Sequence, residues 1–287
     1  MVGCETVVRV EIAIGCRLGF DVANPTHAVV VVEPHVDEEW RVRGAHFSIE
    51  PDVPTSTYVD LFGNRCRRMT LPAGDVELRF AATADSTGAP DDADFDAPEH
   101  YPADLPDDAL VFLLPSRYCQ SDQVGTFAFQ QFGAVLPGWT RVQAISQWVH
   151  DEVSFDYGAA SPSITAVDVL AAGHGVCRDF AHLAIALCRA LNIPARYVFG
   201  YLPDIDVPDT GAPMDFCAWM EVYVGNRWYT FDPRNHQQRI GRTIIGRGRD
   251  AADVAMVTTF GGVELKTMTV IAEQVAVQPN QTVALDP

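Results

Sequence analysis

The first hundred residues alternate between hydrophobic and polar positions, and proline, glycine and aspartate interrupt the pattern. Alternating or β-branched stretches occupy residues 6–14, 28–33, 40–49, 65–71 and 75–83. Such stretches, bounded by turn-forming residues, are typical of strands, and no helical spacing competes with them here. The pattern therefore predicts an all-β N-terminal domain over residues 1–100.

Residues 84–108 differ from both flanking regions, because Asp, Pro, Ala and Gly dominate their composition. This polar, proline-broken composition disfavours a packed helix or strand. We predict that the segment links two lobes of the protein. Its acidic residues are interpreted as a solvated loop, with a regulatory or cation-binding role as the alternative.

Beyond the linker the hydrophobic period lengthens toward 3.6 residues, which indicates helices. Helices are predicted over residues 123–133, 140–152, 163–172 and 177–191; strands over 196–201, 218–224 and 227–232, within 241–250, and at about 255–260 and 263–275. The helix over 177–191 has the clearest apolar stripe, and Cys188 within it is predicted to be a buried structural thiol. We predict an α+β core over residues 101–287, in which helices pack on an antiparallel sheet and the C-terminal strands belong to the core.

The charge balance narrows the possible partners. The chain of 287 residues carries 38 acidic and 20 basic side chains, for a formal net charge of −18, and its basic residues do not cluster. A nucleic-acid backbone or an anionic membrane is therefore not an expected partner. No apolar run reaches the roughly 18 residues of a membrane span. The N-terminus lacks the basic and apolar regions of a secretory signal, so a cytoplasmic location is expected.

Seven cysteines, an odd number without CxxC spacing, argue against a disulfide framework and a zinc ribbon. Cys177 stands out because it follows a glycine-bearing turn at the start of the predicted helix. The free N–H groups and the positive dipole end there favour a thiolate, lowering the thiol pKa from about 8.5, and can also stabilise an oxyanion. The alternative is an ordinary half-buried thiol.

A second set of residues is aligned by a predicted hairpin. Gly225 and Asn226 favour a two-residue turn, which places Trp219 opposite Asp232 and Cys217 opposite Arg234. The side-chain period of 2 puts these four residues on one face, with Cys217 and Asp232 as diagonal neighbours. A group at position 217 can thus be oriented by the carboxylate of Asp232, which is the arrangement that a nucleophile, a base and an orienting group need.

Three segments carry a family resemblance: Gly175–Ala181 (GVCRDFA), Ala190–Tyr201 (ALNIPARYVFGY) and Ala218–Pro233 (AWMEVYVGNRWYTFDP). They resemble the core of the bacterial transglutaminase-like family, in the papain-like superfamily. That family also has a β-rich N-terminal domain and a connecting segment similar to Leu114–Cys119 (LPSRYC). Close resemblance covers roughly residues 110–262, and the N-terminal lobe matches only in character.

The resemblance implies a transglutaminase-like, papain-like fold and acyl transfer from an amide by a cysteine protease or amidase. Peptide or isopeptide hydrolysis is favoured over crosslinking to an amine. The family uses a Cys, His and Asp triad, whose nucleophile and acid map onto Cys177 and Asp232. The expected partner is a peptide or protein substrate, no cofactor or metal is assigned, and the oligomeric state is left open.

The chain departs from the family at the triad histidine, where it carries Cys217. General acid–base assistance is typically worth about 10²–10⁴ in rate, and a thiol of ordinary pKa is a poor proton shuttle at neutral pH. His236 is the best replacement base, provided that the strand continues past Pro233. His174 is expected to line the cleft. His182 lies about 140° around the helix from Cys177 and is interpreted as a core residue.

Tyr157 and Trp219 are expected to wall the substrate cleft together with His174. Two other hypotheses compete with a catalytic function. The chain could be a catalytically silent binding module that keeps only the fold. Alternatively, Cys177 and Cys217 could form a redox-switched disulfide, or bind a metal together with Asp232 or a histidine.

Overall fold

The computed structural model describes residues 9–208 and 211–275; residues 6–8 of the first predicted strand and Cys4 lie outside them. Two four-stranded antiparallel sheets build the N-terminal region. In spatial order, the first contains β14 (Val263–Gln274), β1 (Val10–Val22), β6 (Gly74–Ser86) and β3 (Val42–Glu50); the second contains β13 (Val257–Thr259), β2 (Thr26–Val30), β5 (Arg65–Leu71) and β4 (Thr55–Val59). Buried and exposed residues alternate along β6, as expected where one sheet face meets the core. The predicted strand-rich region is confirmed.

The C-terminal strands complete these N-terminal sheets. Strand β14 pairs with β1 along most of its length, and β13 pairs with β2. We predicted strands at these positions as part of the core over residues 101–287, whereas the structure pairs them with strands of the N-terminal region. Pairing between strands so far apart in the chain is decided by which edge is open, and local patterns do not reveal it. The boundary near residue 100 itself stays a prediction.

The second part of the chain is the predicted layer of helices on an antiparallel sheet. The sheet order is β11 (Arg227–Phe231), β10 (Cys217–Val224), β9 (Ala195–Tyr201) and β12 (Thr243–Gly248). The helices are α1 (Asp107–Leu110), α2 (Gly125–Phe132), α3 (Trp139–Glu152), α4 (Ala166–Ala172) and α5 (Cys177–Ala190), and β7 (Ser154–Phe155) pairs in parallel with β8 (His174–Gly175). Short 3-10 turns cover Val36–Arg41, Pro102–Asp104, Val111–Leu113 and Tyr157–Ala159. The α+β prediction is confirmed.

Helix α5 is the centre of this layer, since it packs against β9, β10 and helices α2 to α4. Its residues from Asp179 to Arg189 are all buried, and each large apolar side chain among them stabilises the helix by about 1.5–3 kcal/mol. Cys188 is fully buried, as predicted, and this burial raises its thiol pKa. Within the described ranges, no helix is long and apolar enough to span a bilayer.

The segment predicted to be a solvated linker instead packs along the core. Pro90 forms a bridge with Ile240, Ala97 is buried, and the carboxylate of Asp91 accepts hydrogen bonds from the buried Arg242 side chain. The solvated-loop interpretation is therefore wrong for this part of the segment. Asp91 is held by Arg239 and Arg242, about 150 positions away, a pairing that local composition does not indicate.

Candidate active site

Cys177 is the first residue of α5, at the predicted position. The turn before it needs glycine at 175, because an added Cβ would lie 2.7 Å from the Cβ of Asp179. The Asp179 carboxylate accepts the backbone N–H of Val176 at 2.9 Å and so fixes the entry into the helix. The N–H groups of Cys177 and Arg178 are in the first turn, where a helix offers no carbonyl acceptor. They suit a developing oxyanion.

The predicted hairpin forms with the predicted register. Gly225 and Asn226 both have positive φ, 58° and 66°, as a two-residue type I′ turn requires. Met220 pairs with Phe231, as the predicted register requires. Because β11 ends at Phe231, the following Asp232 lies just beyond the ladder, near the start of β10.

Cys177 and Cys217 meet at the junction of α5 and β10. Both are free thiols, Cys217 is buried and Cys177 is half-buried. The hydrogen bond from Cys217 lowers the pKa of the Cys177 thiol, against the opposing effect of burial, and the N–H of Ala218 adds to the lowering. The same bond to Cys177, together with burial, raises the pKa of Cys217 well above its usual value. The pair therefore favours a thiolate at 177 and a neutral thiol at 217.

Asp232 acts on this pair through Asn235, a residue that the sequence did not single out. The Asn235 side-chain amide donates to Asp232 Oδ2 at 2.8 Å and lies 3.8 Å from the Cys217 sulfur. Its backbone N–H donates to Asp232 Oδ1 at 2.9 Å. The amide thus lies between the carboxylate and Cys217.

Arg242 also binds Asp232, at the same carboxylate oxygen as the Asn235 amide, and was also missed. Its Nη2 donates to Asp232 Oδ2 at 2.9 Å, and its Nε donates to Asp91 Oδ2 at 2.9 Å. The guanidinium lies 4.8 Å from the centre of the Trp219 ring. Burial lowers the pKa of Arg242, but the carboxylates of Asp232 and Asp91 outweigh it and raise this pKa. The Gly/Arg-rich composition of residues 241–250 was the available signal for this arginine.

His236 turns away from Cys177. Its positive φ of 48° follows the end of β11, and its ring contacts Gln143 and Ser146 of α3 at 3.1 and 3.4 Å. It lines a neighbouring pocket of about 320 Å³ together with Asp232. The premise that the strand continues past Pro233 is wrong, and the structure does not bring His236 into the cleft of Cys177. Burial lowers the pKa of this histidine.

The cleft in front of Cys177 has a volume of about 380 Å³. Tyr157 lines it, as predicted, and is 54% exposed. Its other walls are largely apolar and include Phe155, Val176, Leu202, Val207, Met214 and Phe216. Polar side chains line it at a few positions, among them Asp204, Asp215, Arg234 and Asn235. Trp219, in contrast, is fully buried, and His174 is exposed in β8. Neither of these two predicted substrate-contacting residues is among the residues lining the cleft.

His182 is a core residue, as the sequence predicted. It is fully buried, stacks on Tyr118 with ring centres 5.1 Å apart, and accepts the N–H of Ala251 at 3.1 Å. Burial lowers its pKa well below the usual value, so the ring is neutral at physiological pH.

Metal binding by Cys177, Cys217 and Asp232 finds no support in residues 9–208 and 211–275. No group of three or more His, Cys, Asp or Glu side chains in these ranges is placed to hold a metal ion. The Asp232 carboxylate is already bound by Asn235 and Arg242.

Comparisons with known proteins agree with this geometry. The family model of the transglutaminase-like superfamily matches residues 126–233, which include Cys177, Cys217 and Asp232. A solved structure from Cytophaga hutchinsonii, described as a candidate cysteine protease, is 30% identical, with a TM-score of 0.82 over 95% of this chain and 93% of that one. The helices packed on an antiparallel sheet and the matching family model define the class of the protein. The chain belongs to the transglutaminase-like superfamily.

Two mycobacterial relatives extend the comparison. An uncharacterized protein of Mycobacterium leprae is 33% identical over 117 residues, which are 40% of this chain and 42% of that protein. One of Mycobacterium tuberculosis is 32% identical over 166 residues, 55% of this chain and 52% of that protein. The chain thus spans about half the length of the curated relatives it matches.

Proposed function

We propose that this protein is a cysteine-dependent amide hydrolase that cleaves a peptide or isopeptide bond. The observation that carries the proposal is Cys177, half-buried at the first turn of a rigid helix and facing a cleft. A neighbouring donor lowers its pKa, as an activated nucleophile requires. The resemblance to the Cytophaga hutchinsonii protein described as a candidate cysteine protease supports the same class of reaction.

In the proposed reaction, the Cys177 thiolate attacks the carbonyl carbon of the substrate amide. The N–H groups of Cys177 and Arg178 stabilise the oxyanion, and the Cys217 thiol donates the proton that the leaving amine needs. Water then hydrolyses the thioester and restores both thiols. Because a thiol of raised pKa is a weaker proton donor than an imidazolium, we expect turnover about 10²–10⁴ slower than with a triad histidine.

A silent binding module is the second candidate, and one observation favours it. Asn235 occupies the space between Asp232 and Cys217, so this carboxylate is engaged by an amide and an arginine. Such a module would keep the cleft and the fold but not the reactive thiolate. The two candidates therefore differ in the chemistry of Cys177.

The deciding experiment measures iodoacetamide labelling of each cysteine from pH 5 to 9 by peptide mass spectrometry. We expect Cys177 to label with a midpoint well below about 8.5, because Cys217 stabilises its thiolate. In Cys217→Ala this donor is lost, and the midpoint should move upward. Cleavage of a peptide library is then compared between the native chain and Cys177→Ala. An ordinary midpoint in the native chain, without Cys177-dependent cleavage, would falsify the enzyme proposal in favour of the binding module.

A further inference from the structure

Replacement of the triad histidine places a second thiol beside Cys177, and this thiol allows a chemistry other than the proton donation proposed above. Cys217 packs with Val198, Leu202 and Trp219 in a small buried cluster, and Cys177 packs against the same cluster. The Cys177 thiol donates to the carbonyl of Phe216, the residue before Cys217, at 4.0 Å, and the Cys217 thiol donates to the carbonyl of Ala218 at 3.8 Å. Their side chains come from α5 and β10, which are held together by the core.

The two sulfurs differ in access and in charge. Cys177 is half-buried at the edge of the cleft, whereas Cys217 is only 6% exposed. Redox-reactive cysteine pairs share this asymmetry, with an accessible thiolate at a helix start that reacts first and a neighbouring thiol that resolves it. The interaction between the two thiols lowers the pKa of Cys177 and raises the pKa of Cys217.

We propose that Cys177 and Cys217 form a redox-active pair, in which a peroxide oxidises Cys177 and Cys217 then closes a reversible disulfide. This adds a second chemistry to the site, and its consequence for hydrolysis rests on the proposed function. The disulfide occupies the nucleophile, so amide hydrolysis stops until a dithiol reduces the pair.

The chemistry balances with hydrogen peroxide as the oxidant. The Cys177 thiolate attacks one peroxide oxygen, an S–O bond forms, the O–O bond breaks, and the departing hydroxide takes up a proton as water. The Cys217 sulfur then attacks the Cys177 sulfur, so that an S–S bond forms and the S–O bond breaks. The second hydroxide leaves with the Cys217 proton as water. The pair loses two electrons, and the peroxide gains them.

The test treats the reduced full-length protein with hydrogen peroxide and reads the products by intact mass and by peptide mapping without reduction. We expect a loss of about 2 Da and a peptide joining Cys177 to Cys217. Labelling of Cys177 should fall at least about tenfold and return after dithiothreitol. In Cys217→Ser, the linked peptide should be absent, and the fraction of Cys177 oxidised beyond the sulfenic acid should rise and should not recover after dithiothreitol. Cys66→Ser, which changes a buried thiol on β5, is the matched control and should behave like the native chain.

Failure of this inference is separable from failure of the proposed hydrolysis. Irreversible oxidation of Cys177 in the native chain, without the linked peptide, overturns the redox pair even when cleavage activity is present. A reversible disulfide in a chain without cleavage activity supports the pair and counts against the hydrolase. The mapping on the native chain needs no variant, so the result stands even when Cys217→Ser does not fold.

Discussion

Restoring the imidazole by Cys217→His is expected to raise amide hydrolysis. Position 217 lies beside Cys177. The Asn235 amide links it to Asp232 by one hydrogen bond to each residue. General acid–base assistance of about 10²–10⁴ corresponds to about 2.7–5.5 kcal/mol of transition-state stabilisation, at about 1.36 kcal/mol per tenfold change. That is the upper range of the expected gain.

The packing around Cys217 reduces this gain. Cys217 is only 6% exposed, and an imidazole must displace the Asn235 amide before it can reach Asp232. Overpacking of a buried site costs about 1–3 kcal/mol. We expect part of this strain to be relieved by a shift of the imidazole ring away from its best position. We therefore expect a gain of at least about tenfold in kcat/KM for Cys217→His. A larger gain is expected in Cys217→His combined with Asn235→Ala, where the amide no longer competes for the carboxylate.

The assay compares kcat/KM for the best peptide substrate, with Cys177→Ala and its combination with Cys217→His as blanks. Urea denaturation establishes that each variant is folded. The pH profile should acquire a new ionisation near about 6.5, the usual pKa of histidine. A folded Cys217→His protein with no gain in kcat/KM, whether Asn235 is kept or changed to Ala, would mean that the geometry of Cys177, position 217 and Asp232 is not that of a catalytic triad.

Two further predictions test the surroundings of the site. Arg242→Met leaves the carboxylates that it binds without a counter-charge, and should lower the free energy of unfolding by about 3–5 kcal/mol. Arg43→Met, which removes exposed ion pairs with Glu11 and Asp85, should change it much less, and equal losses in urea denaturation would contradict this assignment. His236→Ala should change the hydrolysis rate less than about twofold, because its ring contacts α3, whereas Asn235→Ala should lower it by about tenfold. A large loss in His236→Ala alone, with Asn235→Ala unaffected, would return His236 to the role of base.

Local patterns predicted the elements that carry the site. The helical stripe after Cys177 and the Gly225 and Asn226 turn are short-range signals, because each depends on side chains within a few turns or one hairpin. The start of α5 and the register of β10 with β11 therefore agree with the structure. The hairpin placed Cys217 near Asp232, whereas the family resemblance implied that Cys177 lies beside them.

The errors came from contacts between distant segments. The strand was expected to continue past Pro233, but the chain turns there, so His236 faces α3 and Asn235 takes the position beside Asp232. Trp219 lies on the predicted face of the hairpin but is fully buried. The alternating pattern of a strand shows which residues share a face, but not how deeply that face is buried.

The sequence by itself determined the family and the α+β class, and it predicted Cys177 as the nucleophile and Cys217 at the position of the triad histidine, because motif identity and hydrophobic period are properties of neighbouring residues. Only the tertiary structure decided that Asp91 supports Arg242 and that β13 and β14 complete the N-terminal sheets. These choices depend on which buried charges and which strand edges remain unsatisfied once the core has formed. That balance is a property of the whole folded chain.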